Sequence, residues 1–139
     1  MTTKLELSSR QVDFQAILDY ADLTNDRNPI HVDHEFAAKT PFGGVIAHGT
    51  MSVALIWQAL ARTLGKDILE RVDLDIRFLK PVRVGDCVAG GGDLRPGTES
   101  VYDVWVRTQA GEGEPVISGT AKVRHVRVPG RDGGQKGTT

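Results

Sequence analysis

The sequence is short of several things at once. It has one cysteine, Cys87, among 139 residues. A lone thiol cannot build an internal disulfide framework, so a disulfide-stapled small fold is excluded. Cys87 reads as a packed or semi-exposed strand residue with no partner for catalysis. No apolar run approaches the length needed to span a bilayer; the longest lies near residues 53–57. No charge dominates either: 17 basic residues face 18 acidic ones, a formal net charge of −1. That balance leaves no electrostatic footprint for nucleic acid or an anionic membrane, and both are set aside as partners. Nothing near Met1 has the apolar core of a signal peptide, so the expected compartment is the cytoplasm. His34 and His125 lack acidic or cysteine partners at ligand spacing, so no metal site is expected.

What is present is an ordinary globular composition, 40% hydrophobic and 25% charged, in a length typical of one domain. Phe14, Ile17, Leu18 and Ala21 recur at helical spacing and predict an amphipathic helix over residues 13–22, with Ser8, Ser9 and Asp13 as candidate caps. Residues 23–31 are dense in turn formers and read as irregular. Asp33 is placed to cap a short helix through Ala37 and Ala38, which Thr40-Pro41 ends. Residues 50–64 are apolar nearly all round and predict a buried central helix closed by Gly65. From Val72 the period changes to two. Strands are expected over 72–79, 101–108 and 116–128, with turns at 81–86 and 110–114. Gly90-Gly91-Gly92 reads as a bulge or loop, and Trp57 and Trp105 as core or interface residues. One long helix followed by antiparallel strands is an α+β arrangement. The domain is expected over 1–129, with a glycine-rich polar tail, 130–139, expected to be disordered.

Two segments carry chemistry. Asp26-Arg27-Asn28-Pro29-Ile30-His31 sets a carboxylate and an imidazole on a stretch stiffened by Pro29, which also restrains Asn28. A stiff irregular loop can aim both at one water, as acid–base catalysis requires. Gly43-Gly44-Val45-Ile46-Ala47-His48-Gly49-Thr50-Met51 leads into the central helix, where free N–H groups and the helix dipole can hold an oxyanion. Taken alone, these residues also read as a turn cap, a satisfied loop histidine and cap glycines, with His48 as a structural hydrogen-bonder.

Together, Asp26-x-Asn28-Pro29-Ile30-His31, Asp33, Ala37, Ala47-His48-Gly49-Thr50-Met51 and Arg77-Phe78-Leu79-Lys80-Pro81-Val82-x-x-Gly85-Asp86 resemble the MaoC-like hydratase family, which includes (R)-specific enoyl-CoA hydratases. The resemblance runs from about residue 12 to 128. It implies a hot-dog fold, with an antiparallel sheet wrapped around the long helix. It also implies a homodimer or dimer of dimers with the site near the subunit interface, and no cofactor beyond the CoA or carrier arm of the thioester substrate. Carried over, Asp26 and His31 match the catalytic pair and Gly49 the oxyanion donor. Asn28 and His48, within the matched motifs, and Gln58 and Ala61, further along the helix, are the expected substrate-binding positions. Two departures stand out. Asn25 replaces a glycine common before the aspartate, and a serine often found on the central helix is replaced near Gln58. The implied activity is addition of water to a trans-2-enoyl thioester, giving a 3-hydroxyacyl thioester with the (R) configuration suggested. A hot-dog thioesterase and a non-catalytic acyl-thioester-binding subunit are the alternatives.

Overall fold

A computed structural model describes residues 3–124. The expected tail and the end of the expected last strand lie outside them. Among the described residues, five strands form one antiparallel sheet in the order β1-β3-β4-β5-β2. They are β1 (Ser8–Gln11), β2 (Val72–Phe78), β3 (Cys87–Leu94), β4 (Val101–Arg107) and β5 (Pro115–Val123). Four helices precede β2: α1 (Phe14–Thr24), α2 (Pro29–Val32), α3 (His34–Ala38) and α4 (Gly49–Leu64). The sheet curls around α4, the hot-dog arrangement.

Each helix is set by its ends. Asp13 caps α1 by accepting from the Ala16 N–H at 2.7 Å. Asn25 stops it in the left-handed region, φ 57° and ψ 31°, a conformation asparagine tolerates better than most residues with a Cβ. Asp33 caps α3 as expected, accepting from Phe36 N–H at 3.1 Å. Gly65, at φ 95°, closes α4.

Four expectations need correction. Ser8 and Ser9 are not caps but part of β1, paired with β3. The turn-rich stretch is not wholly irregular, because Pro29 sits at the first turn of α2, where its fixed φ and missing N–H fit. The central helix is not buried all round: Met51, Ser52, Leu55, Ile56, Ala59 and Leu60 form a buried stripe, and Gln58 and Arg62 face out.

The fourth correction concerns Gly90-Gly91-Gly92, which is strand interior in β3 rather than a loop. A Cβ at Gly90 would stand 2.7 Å from the carbonyl carbon of Leu55. The glycine therefore lets the α4 backbone lie directly on the sheet. Three glycines in a row show no alternation, so periodicity has nothing to detect there.

Tyr102, Val104 and Val106 of β4 point into the core beneath α4. At the sheet edge β2 pairs only with β5 among the described strands. Its apolar face grades from buried Val72 to exposed Phe78. Among the described residues, no helix is long and apolar enough to cross a membrane.

Candidate active site

The start of α4 is where the polar chemistry gathers. After α1 ends, residues 26–31 lie against residues 46–48, knitted by three hydrogen bonds. The Ile46 N–H donates to Ile30 O at 3.2 Å. His31 Nδ1 lies 2.7 Å from Ile46 O, and His48 Nε2 lies 2.9 Å from Asp26 O. A carbonyl can only accept, so each imidazole donates from that nitrogen. With Nδ1 so engaged, His31 Nε2 makes no hydrogen bond among the described residues. The His31 and His48 rings stack with centroids 4.0 Å apart and planes at 24°.

Asp26, His31 and His48 each offer an atom within 4.8 Å of the other two. The carboxylate and the imidazole expected to work together are thus brought together. A cation held by all three is a poor fit for this geometry. The lone pairs of imidazoles lie in the ring planes, and two nearly parallel stacked rings do not converge on one point. Hydrogen bonds to backbone carbonyls also occupy a nitrogen on each ring.

Beside this cluster opens a largely apolar cleft of about 330 Å³, walled by His31, Phe42, Gly49, Ser52, Phe78 and Val82 among others. Gly49 is the first residue of α4, so its N–H has no carbonyl a turn earlier and carries the positive end of the helix dipole. The Phe78 ring lies directly on it: a Cβ at Gly49 would stand 2.7 Å from Phe78 Cε1.

Not every expected site residue is in the cleft. Asn28 spends its side-chain oxygen on capping α2, accepting from Ile30 N–H at 3.1 Å. His48 lines the cleft but gives Nε2–H to the Asp26 carbonyl. Gln58 lies in a separate cavity of about 280 Å³ shared with Tyr20, Leu23, Met51 and Ala54. There it accepts from the buried Ser8 hydroxyl at 2.5 Å. Ala61 lines neither cavity. Helical phase is the reason. At about 100° per residue, position 58 is turned roughly 180° from Gly49 and position 61 roughly 120°.

The same arithmetic points to what was overlooked. Ser52 sits only about 60° from Gly49, is buried, and lines the cleft one turn along. Once Gly49 is seen to face the cleft, helical spacing alone leads to it. Phe42 and Phe78 carried no such signal: one lies in a turn and the other reads as an ordinary strand residue.

A model of the MaoC like domain matches residues 2–93. The chain belongs to the MaoC-like domain family. It is 37% identical over 83 residues to the 3-hydroxybutyryl-CoA dehydratase of Methylorubrum extorquens, covering 60% of this chain and 53% of that one. It is 35% identical over 118 residues to 3-hydroxyacyl-thioester dehydratase Z of Mycobacterium tuberculosis, 77% of this chain and 78% of that one. Among solved structures it resembles the (R)-hydratase from A. caviae with a TM-score of 0.72 and 27% identity, covering 91% of this chain and 98% of that chain. The chain spans about half the length of several curated relatives, including the M. extorquens dehydratase.

Proposed function

We propose that this MaoC-like domain hydrates trans-2-enoyl thioesters to (R)-3-hydroxyacyl thioesters and catalyses the reverse dehydration. The observation that carries the reading is the convergence of the Asp26 carboxylate and the His31 imidazole within 4.8 Å, with His31 on the wall of an apolar cleft that also exposes the start of α4. Relatives named as a dehydratase of 3-hydroxybutyryl-CoA and of 3-hydroxyacyl thioesters support it.

In the hydration direction a water lies between Asp26 and His31. Asp26 takes one proton as the water oxygen bonds to C3, and the C2–C3 π electrons shift toward the thioester oxygen. The Gly49 N–H, with the dipole of α4 behind it, stabilises that enolate-like oxygen. His31, protonated on Nε2 as well as Nδ1, gives the Nε2 proton to C2. The proton on Asp26 then passes to His31, which restores the pair. In dehydration each transfer reverses. The apolar cleft holds the acyl group and keeps bulk water from the enolate.

The exposed edge of β2, with Phe78 at its end and Leu79 just beyond it beside the cleft, supports a homodimer in which a second copy completes the wall around the CoA arm. Light scattering at micromolar concentration is expected to give twice the chain mass; a fully active monomer would remove the shared wall.

Crotonyl-CoA tests the activity. Hydratase action bleaches the conjugated enoyl absorbance without releasing thiol. A thioesterase releases thiol, and a binding subunit does neither. Persistence of the absorbance across a series of enoyl-CoA chain lengths would overturn the proposal.

A further inference from the structure

His48 stands where the parts of the site meet. It immediately precedes Gly49 and occupies the N-cap position of α4, yet its side chain makes no capping bond. Its residue is 2% exposed. One ring face stacks on His31, and Tyr20 leans on it at a centroid distance of 5.0 Å. Tyr20 is itself tied to the first turn of α4, its hydroxyl 2.7 Å from Thr50 Oγ1. The Nε2–H donates to the Asp26 carbonyl, whereas Nδ1 is buried without a partner.

A position serving the core alone would be met by an apolar side chain, because a buried polar atom without a bond is costly to keep. Here the orphan nitrogen accompanies a useful one. Of the three hydrogen bonds that knit 26–31 to 46–48 among the described residues, two hold the His31 end, from Ile46. The His48 bond is the one that holds the Asp26 end. The same residue is covalently joined to Gly49, so it ties the Asp26 backbone, the His31 ring face and the Gly49 N–H together.

We propose that His48 is a positioning residue, an Nε2–H tautomer that locks the Asp26–His31 loop in register with the Gly49 N–H. It touches neither water nor substrate in this role. Its kinetic consequence rests on the hydratase reading, but the clamp itself does not.

Two measurements separate the clamp from the activity. Imidazole 15N NMR of the whole chain is expected to show His48 protonated on Nε2 and bare on Nδ1; the opposite tautomer overturns the proposal. The Asp26 carbonyl 13C shift is expected to move in His48→Phe, which keeps a stacking ring without the donor. It is expected to return toward the wild-type value in His48→Gln, whose amide N–H reaches about as far as Nε2. An unmoved shift also overturns it.

With crotonyl-CoA, His48→Phe is expected to lose about a hundredfold in kcat with KM changed less than about threefold, since misplacing a reacting group by an ångström has that scale of effect. His48→Gln is expected to recover kcat to within about tenfold of wild type. A purely structural role would lower both melting temperatures and spare kcat in the folded fraction, and that result sinks the idea. Should His48→Phe not fold, His48→Asn, whose amide is too short to reach Asp26, replaces it with the same expected loss. If wild type hydrates no enoyl-CoA, the hydratase reading falls while the two NMR measurements still judge the clamp.

Discussion

The two cavities flanking α4 are similar in size and opposite in character. The one at the helix start has the Gly49 N–H and the second ring nitrogen of His31 on its wall without partners among the described residues, and the Asp26 carboxylate lies close by. On the other flank, Gln58 and Tyr20 of the cavity wall are bonded to residues behind it, Gln58 to Ser8 and Tyr20 to Thr50. Volume therefore says little about which cavity does chemistry. What distinguishes them is whether polar groups are spent within the protein or held ready for a ligand.

The change expected to break this contrast most severely is Gly49→Val. Its side chain would meet Phe78 at the cleft mouth, but Phe78 is 60% exposed and can swing aside, so the cost to folding is small. Catalysis is expected to fall about a thousandfold, because the side chain fills the approach to an oxyanion donor. The check is turnover of crotonyl-CoA beside a thermal melt; normal turnover would move the thioester oxygen elsewhere.

Next come Asp26→Asn and His31→Ala, each expected to reduce kcat about a hundredfold, the usual contribution of a positioned acid or base. Asp26 is exposed and His31 only half-buried, so both variants should melt close to wild type. Near-normal kinetics in both would refute the pair.

Ser52→Ala sharpens the comparison within the cavity at the helix start. A hydroxyl facing the thioester contributes about 1 kcal/mol, roughly fivefold in kcat/KM. An unchanged kcat/KM would make Ser52 a wall residue only.

Gln58→Ala is the matching change on the far flank, with the smallest effect on activity. It leaves the Ser8 hydroxyl, 1% exposed, without its acceptor and should destabilise the fold by about 1–3 kcal/mol. Crotonyl-CoA kinetics should not change. A large rise in KM would instead join the second cavity to the substrate path.

How much of this was readable without coordinates depended on whether the signal was local. The cap at Asp13 and the Gly65 terminus are encoded within a turn of where they act, whereas α1 runs past the expected end at residue 22 to Thr24. The alternation of Tyr102, Val104 and Val106 is a local pattern too. The β3 glycines were not legible, since their role is set by the backbone of Leu55, far away in sequence. Gln58 and Ala61 were misplaced because an apolar helix does not announce which side faces the ligand. That side depends on where residues 26–31 come to rest.

The α+β class, the long central helix and the two motifs at residues 26–31 and 43–51 could be read from the residues, because caps, periodicity and a proline-stiffened stretch act over short range. Which flank of α4 became the cleft, the cover of Phe78 over Gly49 and the bond from His48 to the Asp26 carbonyl came from the folding of distant segments together. Those outcomes depend on contacts between segments tens of residues apart, and no local rule of side-chain preference carries that information.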